Sequence, residues 1–142
     1  MSPYRILIAD DNHDHVLLTA DAVASANVGP VETRVARDGR EALAALLTGE
    51  WLPDLVLLDV QMPIVDGFEV LRRMRANERL RSIPVVLLTS SADDRDAARG
   101  RGLGSTAFVT KPLDGAALRD LLSPVQSNHP GATAPARVEV HP

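Results

Sequence analysis

The 142-residue chain has no cysteine, which excludes disulfides and thiolate-bound metal. No apolar run approaches the roughly 20 residues that span a bilayer. The start, MSPYRILIAD, lacks the basic-then-apolar pattern of a signal peptide. An excess of positive charge is also missing: the formal net charge is -4, so no electrostatic field favours nucleic acid. A cytoplasmic protein with no membrane and no nucleic-acid partner is expected. What is present is globular composition, 45% hydrophobic and 24% charged, at a length that builds one core rather than two.

Short apolar runs alternate with helical patterns. Ile6 to Ala9, Leu55 to Leu58 and Val85 to Leu88 are unbroken apolar runs, as strands buried on both faces of a parallel sheet require. Val31 to Val35 alternates apolar with charged residues and Ala107 to Val109 is short, so both read as edge strands. Between them, Val16, Ala20 and Val23 share a helical face. So do Ala42, Leu43, Leu46 and Leu47, then Val70, Leu71 and Met74, and finally Ala117, Leu118, Leu121 and Leu122. Asp66 and Asp114 stand where helix caps belong. The segment after the third apolar run carries Gly100, Gly102 and Gly104, so its helix should be short and loosely held. Strands alternating with helices predict an α/β fold, a right-handed doubly wound five-stranded parallel sheet in the order 2-1-3-4-5, flavodoxin-like.

In such a sheet ligands bind beyond the carboxyl ends of the strands, at the switch point between strands one and three. Strand one runs into DDNHDH, beginning Asp10-Asp11, and strand three ends in Asp59. Three carboxylates from remote positions therefore converge. Without a counter-charge each would have a raised pKa, so the arrangement calls for a cation, and oxygen-only ligation suits a hard ion such as Mg²⁺. Thr89 and Lys111 bring a hydroxyl and an ammonium to the same rim. A carboxylate nucleophile, a Mg²⁺ site, a hydroxyl and a lysine form a constellation for phosphoryl transfer.

With these residues assembled, the chain from about Arg5 to Leu122 resembles the receiver domain of bacterial response regulators in two-component signalling. The matching parts are Asp10-Asp11, the block DVQMPIVDG from Asp59, Thr89 after VVLL, and Lys111-Pro112, with 30 residues from Asp59 to Thr89 and 52 from Asp59 to Lys111. The resemblance implies that Asp59 is the phosphoacceptor. It further implies Mg²⁺ bound by Asp11, Asp59 and the backbone carbonyl of Gln61, with Asp10 assisting through water. Thr89 and Lys111 would contact the phosphoryl oxygens, Thr89 and Phe108 would form the switch, and the Lys111-Pro112 bond is often cis in relatives. The partners implied are a sensor histidine kinase and a downstream protein target or phosphotransfer protein. A long stretch between Asp11 and Asp59, with TSSADD after strand four, looks like the stand-alone regulators that accompany bacterial phytochromes.

Taken singly these residues would be unremarkable, since acidic side chains at strand ends are ordinarily solvated or capping and Phe108 would be packing. Their convergence is what argues for function. His13 and His15 look like a metal pair, but i,i+2 spacing puts them on different helical faces, which favours a solvated helix start. GRGLG follows a helix and lacks the last glycine of a dinucleotide loop. A Mg²⁺-dependent phosphohydrolase on a similar sheet would want a general-acid aspartate where Gln61 stands. The chain is therefore expected to be no ordinary enzyme, catalysing only its own Mg²⁺-dependent phosphorylation and dephosphorylation. A phosphate shuttle or sink in a phosphorelay is the alternative reading. The receiver domain should occupy residues 1–122, followed by a Pro-rich tail, 123–142, with four of the ten prolines. That tail is expected to be disordered or, through the alternation in ARVEVH, to serve as a dimer arm for a homodimer.

Overall fold

The computed structural model describes residues 3–91, 93–127 and 139–140. Its elements are β1 (Tyr4–Ala9), α1 (His13–Ala26), β2 (Val31–Ala36), α2 (Gly39–Thr48), β3 (Leu55–Asp59) and α3 (Gly67–Arg75). They continue with β4 (Val85–Thr89), α4 (Asp94–Leu103), β5 (Ala107–Thr110), α5 (Gly115–Ser127) and β6 (Glu139–Val140). Each helix start is fixed by a short polar side chain that satisfies backbone N–H groups the helix itself leaves open. Asn12, Asp38, Asp66 and Asp93 accept from the backbone nitrogens of His15, Glu41, Glu69 and Arg95. Asp114 does the same for Ala116 and Ala117.

The five parallel strands lie in the expected order, with β6 added beyond β5. All residues of β3 and β4 are buried, which is why their sequences are unbroken apolar runs. Alternate side chains feed two cores. Leu7, Val56, Leu58, Leu87 and Phe108 pack against α2 and α3. Ile6, Ile8, Leu57, Val86 and Leu88 pack against α1 and α5. Leu47, whose spacing placed it on the buried face of α2, is 51% exposed instead.

The end of the chain departs from expectation in two ways. Helix α5 continues to Ser127, so the boundary expected between residues 122 and 123 falls inside it. The proline-rich composition of residues 123–142 is what set that boundary. The buried Leu118, Leu121 and Leu122 secure the turns just before it. The free edge expected at β5 is also covered: β6 pairs antiparallel with it, Ala107 opposite Val140 and Phe108 opposite Glu139. Glu139 and Val140, within ARVEVH, therefore add a short strand to this chain's own sheet. Residues 128–138 and 141–142, which hold most of the tail expected to be disordered or a dimer arm, lie outside the described residues.

Helix α4 is ten residues long and capped by Asp93 and Gly104, so it is not short. It is lightly anchored, with Gly100 its buried residue. A Cβ at Gly100 would meet Leu87 Cδ1 at 2.7 Å and Phe108 Cδ1 at 3.7 Å, whereas one at Gly102 would meet nothing within 4 Å. Glycine at position 100 is thus what lets α4 close over the sheet. Gly102→Ala should raise the unfolding free energy by about 1 kcal/mol through helix propensity. Gly100→Ala should lose that gain and about 1–2 kcal/mol more by overpacking a fully buried Leu87. Urea unfolding of the two variants checks the opposite signs.

Candidate active site

The carboxyl ends of β1 and β3 and the loop after β5 meet in one place. Asp10 follows β1 and is 2% exposed; Asp59 closes β3 and is 4% exposed. The start of α3 is packed tightly beneath Asp59, for a Cβ on Gly67 would collide with the Asp59 carbonyl oxygen. Lys111 reaches both carboxylates: its Nζ lies 2.6 Å from Asp10 Oδ2 and 3.1 Å from Asp59 Oδ1, and its side chain is 9% exposed. The other Asp10 oxygen accepts from the backbone N–H of Asn12 at 2.9 Å. The Lys111-Pro112 bond is cis.

Oxygens of Asp10, Asp11 and Asp59 all lie within 4.8 Å of one another, with Asp11 exposed. Burial, then the neighbouring Asp10 charge, pushes the Asp59 carboxyl up to about 6, against the opposing pull of Lys111 and of a hydrogen bond from the Gln61 backbone. The site therefore carries more negative charge than one ammonium compensates. An all-oxygen donor set short of positive charge fits a hard divalent cation. Asp11 and Gln61 also line an open cleft of about 520 Å³ with Met62, Asp66, Asp96 and Arg99.

The expected site residues Asp10, Asp11, Asp59 and Lys111 are brought together. Thr89 stands one residue beyond Leu88, the cross-strand partner of Asp59. Its hydroxyl is occupied, donating to the Ser91 carbonyl at 2.9 Å. Phe108 is 1% exposed and already inside the core. One neighbour went unread in the sequence: His15 Nδ1 lies 3.0 Å from Lys111 Nζ. His13 is exposed and His15 half-buried, so their i,i+2 divergence holds, and what His15 turns toward is the lysine.

Beside the site, Val65 N–H donates to the Pro63 carbonyl at 2.8 Å, closing a three-residue turn around Ile64. Ile64 has φ 70° and is 82% exposed. A β-branched residue in that region is strained by roughly 1–2 kcal/mol. Ile64→Gly should raise the unfolding free energy by about 1 kcal/mol, and with it the urea midpoint, since strain relief outweighs the entropy glycine adds to the unfolded chain. A lowered midpoint would show that the turn is not strained.

Sheet order and the acidic crevice at its carboxyl edge are those of a receiver-type signalling domain. Residues 6–123 match the response regulator receiver domain, and the chain belongs to that family. It is 40% identical over 116 residues to the probable methanogenesis regulatory protein FilR2 of Methanothrix harundinacea (strain 6Ac), covering 78% of this chain and 74% of FilR2. The bacteriophytochrome response regulator AtBRR has a similar structure, with TM-score 0.76, 36% identity and coverage of 89% of this chain and 94% of that one. The Mn²⁺-bound form of response regulator Rcp1 aligns with TM-score 0.72 and 31% identity over 94% of this chain and all of its own. Receiver domains generally bind Mg²⁺ at an acidic pocket and interact with sensor kinases, and the pocket is present here as the Asp10, Asp11 and Asp59 cluster. Among the described residues no helix is long and apolar enough to cross a membrane.

Proposed function

We propose that this chain is a response regulator receiver domain that takes a phosphoryl group on Asp59 from a sensor histidine kinase and signals through phosphorylation-dependent protein contacts. The observation that carries the reading is the Lys111 ammonium held between Asp10 and Asp59, at 2.6 and 3.1 Å, beside an all-oxygen carboxylate cluster. Asp11, Asp59 and the Gln61 carbonyl would hold Mg²⁺, with Asp10 acting through water because both its oxygens are already engaged. When bound, the ion supplies positive charge for the phosphoryl oxygens and the attacking carboxylate.

With its pKa at about 6, Asp59 is mostly ionised at neutral pH and available as a nucleophile. A carboxylate oxygen attacks phosphorus in line; the bond to the leaving imidazole or acetate breaks, and that group departs with the electron pair. Lys111 turns a donor from Asp59 Oδ1 to a phosphoryl oxygen, so charge that develops meets a donor already in place. Thr89 contributes once its hydroxyl leaves the Ser91 carbonyl. That change at the end of β4 biases the face of α4, β5 and α5, where Phe108 sits. The likeness to AtBRR supports a kinase of the bacterial phytochrome kind as donor, and the output is to a downstream protein or phosphotransfer partner.

Intact-protein mass after incubation with acetyl phosphate tests this. One phosphoryl group is expected in Mg²⁺, none in EDTA and none in Asp59→Asn. An adduct that persists in Asp59→Asn would move the acceptor elsewhere. With no adduct in any case, a beryllofluoride titration reads whether the site accepts a phosphoryl mimic, and failure to bind it would end the reading.

A further inference from the structure

The Lys111 ammonium has three N–H donors, and three partners surround it: Asp10 Oδ2 at 2.6 Å, His15 Nδ1 at 3.0 Å and Asp59 Oδ1 at 3.1 Å. Two of the three are carboxylates of the acidic cluster, whose charge is shared anew when a divalent ion and a phosphoryl group enter. The third is a neutral ring nitrogen on another element. An ammonium has no lone pair, so His15 Nδ1 must be the acceptor and the ring proton must sit on Nε2. The backbone of His15 is itself fixed, its N–H held by the Asn12 side chain at 3.1 Å. Beside the contact is a cavity of about 210 Å³ lined by His15, Leu18, Thr19, Ser90, Lys111 and Pro112. The other side chains there are uncharged, and His15 is the one among them in hydrogen-bond contact with the ammonium.

We infer that His15 is a positioning residue for phosphoryl transfer: its Nδ1 tethers Lys111 so that the ammonium stays over the acceptor after Asp59 turns to the metal and the phosphoryl group. The inference rests on the reading of Asp59 as phosphoacceptor, and it assigns His15 an action through Lys111 alone. The tether is one neutral hydrogen bond to a charged donor, about tenfold in rate if its loss is felt fully in the transition state.

The test exploits the fact that Lys111 is the chain's sole lysine, so lysine labelled at Cε and Nζ gives a single side-chain NMR signal. In His15→Ala that signal should shift and its ammonium protons exchange faster with water. Asn places an acceptor near the Nδ1 position, so His15→Asn should restore the signal. Phosphorylation by acetyl phosphate in Mg²⁺ should slow about five- to tenfold in His15→Ala, recover in His15→Asn, and fall no further when His15→Ala is added to Lys111→Ala. An unchanged lysine signal in His15→Ala, or an equal loss with and without Lys111, would overturn the tether. Should the wild type take no phosphoryl group, the phosphoacceptor reading fails on its own, and the lysine signal still decides whether His15 holds Lys111.

Discussion

Lys111→Ala is expected to slow phosphorylation by acetyl phosphate about 100- to 1,000-fold, the usual cost of removing one preorganised donor from developing oxyanion charge. Two effects of the same substitution add. The first is the lost donor itself, now aimed at Asp59 from 3.1 Å. The second acts on the nucleophile: Lys111 is the chief influence pulling the Asp59 carboxyl down, so without it the carboxyl should titrate above its present value of about 6. Raising the pH should therefore recover part of the rate in Lys111→Ala but little in the wild type. Lys111→Arg should rescue poorly. A planar guanidinium cannot reproduce three contacts at 2.6, 3.0 and 3.1 Å made by one compact ammonium. The measurement is the rate of phosphoprotein formation from pH 6 to 9. A wild-type rate in Lys111→Ala would remove the ammonium from the mechanism.

That single lysine was also a legible signal, and one easily passed over. The chain holds 15 basic side chains, and 14 of them are arginine. The exception falls where a point charge with three donors is needed. The acidic crevice could be read directly because parallel-strand topology carries the last residue of each buried run to the same rim: Asp10 after β1 and Asp59 ending β3. His15 could not be read in that way. Its partner is 96 positions away on another element, and helical spacing compares a residue only with neighbours on its own helix. Weighing His13 against His15 therefore asked the wrong pair. The end of α5 misled for the opposite reason, since the proline-rich composition from residue 123 argued against a helix that in fact continues to Ser127. Phe108 was legible as a strand residue, but its near-complete burial comes from packing between elements that no run or period records.

Asp59→Asn should raise the melting temperature of the metal-free protein at pH 7 to 8 and leave it unchanged near pH 3. The folded state holds the Asp59 proton more tightly than the unfolded chain, about 6 against 3.8, chiefly because burial disfavours the charge. Between those values the native protein binds more protons than the unfolded one, so stability falls as pH rises through that window and the loss is complete above about 6. At roughly 1.4 kcal/mol per tenfold change in proton affinity, the full loss is at most about 3 kcal/mol. An amide resembles the protonated carboxyl and cannot ionise, so the variant keeps that stability at every pH, a gain of several degrees above the window. Mg²⁺ should act in the opposite sense. A cation bound to the carboxylate competes with the proton, so it should stabilise the wild type strongly at pH 8, weakly at pH 5, and Asp59→Asn far less. Melting curves of both proteins from pH 3 to 8, in EDTA and in Mg²⁺, measure both effects. If Asp59→Asn melted lower than the wild type at pH 8 in EDTA, the ionised Asp59 would be a net stabiliser paired with Lys111, and the case for a site held short of positive charge until a metal arrives would fall.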